Sequence, residues 1–150
     1  MDEADWLAET LQSNTKEHIV LLQHIIYSSW AQQTVAVIAD GFTKIANAYN
    51  TATASTAATA TITGPSGNVT YTFNTAPAGH VDLCIAGHSH QDGTATVNNI
   101  PCVVRTSMRY NGSSATTKQI FDIVTIDFTD KLAQFTRVGE RGESLDFSFT

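Results

Sequence analysis

Three histidines, His24, His88 and His90, stand where imidazole chemistry could use them. His88 and His90 follow Gly87 in a Gly-His-Ser-His run that starts where the apolar stretch Val81-Asp82-Leu83-Cys84-Ile85-Ala86 stops. The loop after a buried strand is where parallel α/β sheets place their ligand sites. Two imidazoles one residue apart reach a common cavity only if the backbone bends between them, and Gly87 gives the loop freedom for that bend. His24 closes a second apolar run, His18-Ile19-Val20-Leu21-Leu22-Gln23, so the two strand ends could face one cleft. The chemistry such a trio offers is ligation of a divalent ion by neutral imidazole. A lone histidine after a strand is more often a surface or hydrogen-bonded residue, and an isolated His-x-His is a weak signal in a loop. The combination at two strand ends is stronger than either part. His18 and His80 lack such placement.

Other groups lie near the histidine loop. Asp92 follows it closely and is placed to orient an imidazole as a hydrogen-bond acceptor. Asp82 sits well back in its strand and reads as a solvated strand-start residue with no role. Arg105 and Arg109 flank the next strand, where a cation could hold a non-bridging phosphate oxygen, although a surface charge is the commoner use of arginine. Cys84, embedded among Leu83, Ile85 and Ala86, reads as an inert core thiol, and with Cys102 in a separate strand it makes two free, buried, reduced cysteines.

The elements that must position these residues follow from periodicity. Asp2 and Asp5 precede Leu7, Ala8 and Leu11, which share one helical face, so a short carboxylate-capped helix should end near Ser13-Asn14. The run from His18 to Gln23 is too short for a helix and predicts a strand buried on both faces. Val35, Ile38, Phe42, Ile45 and Tyr49 predict an amphipathic helix with Gly41 as its weak point. From Asn50 to Thr75 the chain turns to alternating Thr and Ala without charge, broken by Gly64-Pro65-Ser66-Gly67-Asn68, and predicts a β-hairpin rather than a disordered linker. Val81–Ala86 is a second buried strand, Asn98-Asn99 a turn suited to positive φ, and Ile100–Thr106 the next strand. Ile120 to Phe128, a turn at Thr129-Asp130 and Leu132 to Val138 predict a C-terminal hairpin.

The 150 residues are 42% apolar and 15% charged with a net charge of −6, which suits one α/β domain of the α+β kind spanning 1–150. A chain of this size buries about two thirds of its unfolded surface and needs no disulfide to do so. No Lys or Arg occurs from Ile45 to Val104, so no basic patch for nucleic acid can form there. The acidic opening Met1-Asp2-Glu3-Ala4-Asp5 does not resemble a secretory signal, and no apolar run approaches the roughly twenty residues that span a bilayer. The expectation is a soluble, cytoplasmic protein with no membrane partner, in which the glycosylation acceptors at Asn68 and Asn111 go unused.

Taken in order, Trp6-Leu7-Ala8-Glu9-Thr10-Leu11, the strand Ile19–Gln23 ending in His24, the run Val81 to His90, and Asn99-Ile100-Pro101-Cys102-Val103-Val104 resemble the C-terminal half of the calcineurin-like binuclear metallophosphoesterases. The resemblance rests on the Gly-His-x-His signature at the end of a hydrophobic strand. It implies part of a four-layer αββα sandwich, two packed mixed sheets flanked by helices, with the hairpin of 50–75 as an insertion. It also implies that His24 and His88 bind one divalent ion and His90 a second, with manganese, zinc or iron as the candidates. Such an ion pair activates water and stabilises the attacking and leaving oxygens of in-line displacement at phosphorus, so the substrate class would be phosphate mono- or diesters. The acidic net charge favours small esters over long polyanions.

The family's Asp-x-His, Gly-Asp and Gly-Asn-His motifs, which supply the other ligands and the catalytic imidazole, occur nowhere in this sequence, and Ile25-Ile26 follow His24 where many members have His-Pro. No residue of this chain is therefore assigned as catalytic. A half-domain leaves a sheet face and a strand edge uncovered, so the chain should self-associate or require the N-terminal half. Two alternatives stay open: a structural or interaction module with a vestigial metal site, and a simple metal-binding domain whose three histidines share one ion.

Overall fold

The computed structural model of the chain describes residues 3–24, 36–64, 67–87, 92–105, 121–139 and 143–150. Helix α1 (Glu3–Gln12) opens it, with Glu3 and Asp5 in the first turn where carboxylates suit the helix dipole. Its buried face is Ala4, Leu7, Ala8 and Leu11, the spacing the sequence predicts. Strand β1 (His18–Gln23) and helix α2 (Ala36–Thr51) follow, then the Thr/Ala hairpin of β2 (Ala58–Gly64) and β3 (Gly67–Phe73). The hairpin is closed by a Gly64–Gly67 pair in which Gly67 takes a φ of 115°, a left-handed conformation that favours glycine.

Strand β4 (His80–Ala86), β5 (Gly93–Val97) and β6 (Ile100–Val104) join β1 in one sheet of order β1-β4-β6-β5. Strands β1, β4 and β6 are parallel, and β5 turns back antiparallel onto β6. The β5–β6 turn is Asn98-Asn99, with φ of 48° and 61°, as the sequence suggests. The same two side chains bond to α2, Asn98 donating to Thr43 and Asn99 to Asn47, so the turn also anchors the helix. In the last turn of α2, the Asn50 side chain accepts from Val81 N–H at 2.8 Å and donates to Val81 C=O at 3.0 Å.

The tail builds a separate antiparallel sheet of β7 (Phe121–Asp127), β8 (Leu132–Val138) and β9 (Leu145–Ser148). Asp127 shapes the β7–β8 turn by accepting from the backbone N–H groups of Thr129 and Asp130. The C-terminal hairpin is therefore one strand larger than its alternation reveals, and β5 also goes unread in the sequence. Thr106, Arg109 and Ile120 lie outside the described residues, as does Val35 at the front of α2.

The four-stranded sheet is covered differently on its two faces. On one, Val81, Cys84, Ala86, Ile100, Cys102 and Val104 pack with α1, α2 and the hairpin. On the other, Leu83 and Val103 pack against Ala133, Phe135 and Phe149 of the tail sheet and its end. The architecture is mixed α/β: helices, sheet, sheet. Strand β1 departs from expectation. It lies at the edge of its sheet and is only half-buried, with Leu22 76% exposed. Strand β7 is likewise an edge, and Phe121 and its register partner Val138 are exposed together with Ile123. No helix of the described residues is long and apolar enough to cross a membrane.

Gly41 proves to be a contact point in α2. A Cβ there would stand 2.7 Å from Ile62 Cδ1 of β2, so the missing side chain lets the hairpin lie directly on the helix. Gly41→Leu should lower stability by about 1–3 kcal/mol through overpacking, measured by urea unfolding, while α1 and both sheets persist by circular dichroism.

Candidate functional site

Because β1, β4 and β6 run parallel, their C-terminal ends meet along one edge of the sheet. Gly87 N–H donates to the His24 carbonyl at 3.1 Å, and Arg105 N–H donates to the Ala86 carbonyl at 2.9 Å. His24, Gly87 and Arg105 are thus neighbours across three strand ends. His88 and His90 themselves lie outside the described residues. His24 is exposed, and no three His, Cys, Asp or Glu side chains of the described residues form a group that could hold a metal ion. The donor chemistry of three imidazoles suits a zinc, manganese or iron ion, and His24 is its one described member. Gly87 has no positive φ, and among the described residues a Cβ on it would meet only Arg105 O, at 3.8 Å.

Arg105 is not a surface charge. It is 8% exposed, lies over the Phe135 ring at 5.5 Å, and donates from Nε to Asp122 Oδ2 at 2.8 Å and from Nη2 to Glu143 C=O at 2.8 Å. Asp122 also accepts from Arg137 through both carboxylate oxygens. Asp92 closes the network, 3.0 Å from Arg137 Nη2 and 3.6 Å from Arg105 Nη1. Two guanidinium groups and two carboxylates therefore balance beside the strand ends, joining β6 to β7 and β8. Burial pushes the Asp122 carboxyl up, but the hydrogen bonds from Arg137 and Arg105 outweigh it and hold the group below its usual range. Asp122 correspondingly raises Arg137. Asp92 holds arginines here, and the fork of Arg105 is committed to Asp122 and Glu143.

Asp82 also differs from its sequence reading. It is 1% exposed and is the extra residue of a β-bulge: Ile19 pairs with Val81 and Val20 with Leu83, leaving Asp82 between them. The bulge lets Val81 and Leu83 enter opposite cores and re-aims the carboxylate. His18 Nδ1 lies 2.9 Å from Asp82 Oδ2, while Lys131 Nζ and His80 Nδ1 lie 3.1 Å and 3.5 Å from Oδ1. This cluster sits at the opposite end of β1 and β4 from His24. A carboxylate inside an apolar strand two residues after a histidine was the available signal for it.

Cys84 and Cys102 are free, buried and direct register partners on β4 and β6. A hydrogen bond with Cys102 and then burial push the Cys84 thiol far up, which leaves it protonated and inert. A cavity of about 230 Å³ between β5–β6 and the end of β9, lined by Thr94, Pro101, Phe147 and Phe149, contains none of the predicted ligands. The chain matches no family model, no curated protein and no solved structure.

Proposed function

We propose that the chain is the C-terminal part of a metal-dependent phosphoesterase acting on phosphate mono- or diesters at a binuclear centre, and that it is inactive without the N-terminal half. The observation that carries this reading is the hydrogen bond from Gly87 N–H to His24 C=O, which sets Gly87, the first residue of the Gly-His-Ser-His sequence, beside His24 at the end of the parallel strand β1. The layering supports it as well: a mixed sheet with helices on one face and a second sheet on the other corresponds to part of an αββα sandwich. His24 and His88 would hold one ion and His90 the other, and bound divalent ions would supply Lewis acidity toward phosphoryl oxygens. The neighbouring Arg105–Asp122–Arg137–Asp92 network would stiffen the edge from which the loop departs.

The expected result in a manganese or zinc titration is that His88→Ala/His90→Ala removes at least one bound equivalent relative to the unmodified chain. Hydrolysis of an aryl phosphodiester should then emerge only after mixing with a polypeptide carrying the Asp-x-His, Gly-Asp and Gly-Asn-His motifs. Unchanged stoichiometry in the double variant would remove the metal centre from this reading. A second reading, an interaction module, is favoured by the exposed Phe121, Ile123 and Val138 on the outer tail sheet and by Leu22 on the β1 edge. It shares with the first the expectation of self-association, and a stable monomer by light scattering would count against both.

A further inference from the structure

Cys84 on β4 and Cys102 on β6 are direct register partners in parallel strands. Cross-strand partners project to one face of a sheet, and both thiols lie fully buried in the core shared with α1, α2 and the hairpin. Neighbouring strands stand about 4.8 Å apart, inside the roughly 4.4–6.8 Å between Cα atoms that a disulfide can span. Both cysteines are free. They form one polar chain rather than two separate thiols. The bond from Cys84 lowers the Cys102 thiol from its ordinary value, burial opposes it, and the Val97 N–H assists. While it keeps its proton, Cys102 donates to Ile100 C=O at 3.2 Å. The Gln23 amide belongs to the same chain. Gln23 lies two residues past Leu21, the register partner of Cys84, and so shares its face. The Cys102 bond and then burial push the Cys84 thiol up, and Gln23 acts against them by favouring the thiolate. Gln23 Nε2 and Oε1 are buried and make no hydrogen bond of ordinary geometry among the described residues. An orphaned buried amide costs stability, and a redox role is one reason to retain it.

We propose that Cys84 and Cys102 are a reversible oxidation site, closed to a cross-strand disulfide by a small neutral hydroperoxide. The Cys102 thiolate attacks one peroxide oxygen: an S–O bond forms, the O–O bond breaks, and the leaving oxygen takes up the proton that Cys102 gave. Cys102 is then a sulfenic acid. Cys84, which alone stays protonated and inert, now acts. Its sulfur, its charge met by the Gln23 amide, attacks the Cys102 sulfur; the S–S bond forms, the S–O bond breaks, and hydroxide leaves with the Cys84 proton as water. Two thiols are oxidised by two electrons and one peroxide bond is reduced, so hydrogen peroxide yields the disulfide and two waters. Burial selects the oxidant. A small uncharged molecule enters on local opening of β5, the five-residue edge strand whose Ala95 pairs with Cys102. The bridge draws two Cβ atoms to about 3.8 Å across strands spaced about 4.8 Å, and strain of this kind makes a disulfide easier for thiols to reduce. It ties β4 to β6 below the edge where Gly87 and Arg105 meet and does not depend on the phosphoesterase reading.

The test treats the reduced full chain with hydrogen peroxide in native buffer, then alkylates the remaining thiols in urea and maps the peptides by mass spectrometry. The Cys84 and Cys102 peptides should appear joined within one chain, lighter by two hydrogens and unalkylated, and dithiothreitol should restore both thiols. In Cys84→Ser, which cannot close the bridge, dimedone should trap the sulfenic acid on Cys102. In Cys102→Ser, oxidation of Cys84 should be at least tenfold slower. Gln23→Leu should slow bridge closure at least tenfold while Cys102 oxidation keeps its rate, a split that a merely structural role would not produce. The proposal is overturned if both thiols of the unmodified chain are fully alkylated after peroxide, if the bond joins different chains, or if Cys84 oxidises at the same rate in Cys102→Ser. Because the first outcome is read on the unmodified chain, a variant that fails to fold does not remove the test.

Discussion

Asp122→Asn should destabilise the fold by about 3–5 kcal/mol, the range seen when one partner of a buried ion pair is removed and the other charge stays behind. The size of the effect comes from what remains. The side chains of Arg105 and Arg137 are 9% and 4% exposed, and both direct their forks at Asp122. Asn keeps the shape but not the charge, leaving two guanidinium groups facing one half-exposed carboxylate, Asp92. Urea unfolding measures the loss, and a change below about 1 kcal/mol would place this network in the class of screened surface pairs. The pH dependence follows from the same group. Its carboxyl is held below the usual range in the folded chain, so its contribution is present above the unfolded value near 3.9 and is lost as pH falls through the lower folded value. Acidification below about pH 4 should therefore erode the stability of the unmodified chain more steeply than that of Asp122→Asn.

Gly79→Ala should cost about 3 kcal/mol, the upper part of the range for overpacking. A Cβ at this position would stand 1.8 Å from the Lys16 carbonyl oxygen and 2.6 Å from that of Glu17. Both obstacles are backbone, so no side-chain rotation relieves them. The close approach exists because His80 N–H donates to Glu17 C=O at 2.8 Å, the first rung between the segments that become β1 and β4, while Gly79 N–H donates to the Tyr49 hydroxyl at 3.3 Å. Separating the two segments by even an ångström loosens the register on which His18, His80 and Asp82 depend. A midpoint in urea equal to that of the unmodified chain would refute this account.

The elements that the sequence announces are those whose pattern is local. The face of α1, the Phe42, Ile45 and Tyr49 part of the α2 face, the Thr/Ala hairpin, the β4 strand and the Asn98-Asn99 turn all carry their own periodicity or turn chemistry, and the structure places them as expected. Strands β5 and β9 are short, and β5, Gly-Thr-Ala-Thr-Val, is too polar to stand out from a loop. The exposure of β1 is hidden because an apolar run reports composition, not whether a neighbour arrives to cover it; Leu22 is 76% exposed. Arg105 and Asp82 were misread for the same reason. Their burial depends on partners distant in sequence, Asp122 and Glu143 for the one and His18 and Lys131 for the other. For the candidate site, the adjacency of His24 to the Gly87 loop was legible because two apolar runs that each end in a histidine must align those ends if they pair in parallel.

The hairpin between α2 and β4 also bears on how the chain finds its fold. It lengthens by about two fifths the stretch that must be looped out before Gln23 and His80 can belong to one sheet, yet closure entropy grows only logarithmically, by about 0.6 kcal/mol for each doubling. Its own strands meet through contacts close in sequence and can form early, whereas the β1–β4 pairing is long-range and has to wait. A folding delay and a small entropic penalty are thus the closure costs of carrying β2 and β3, set against the burial of Ala60 and Phe73 in the core that the hairpin shares with α1 and α2.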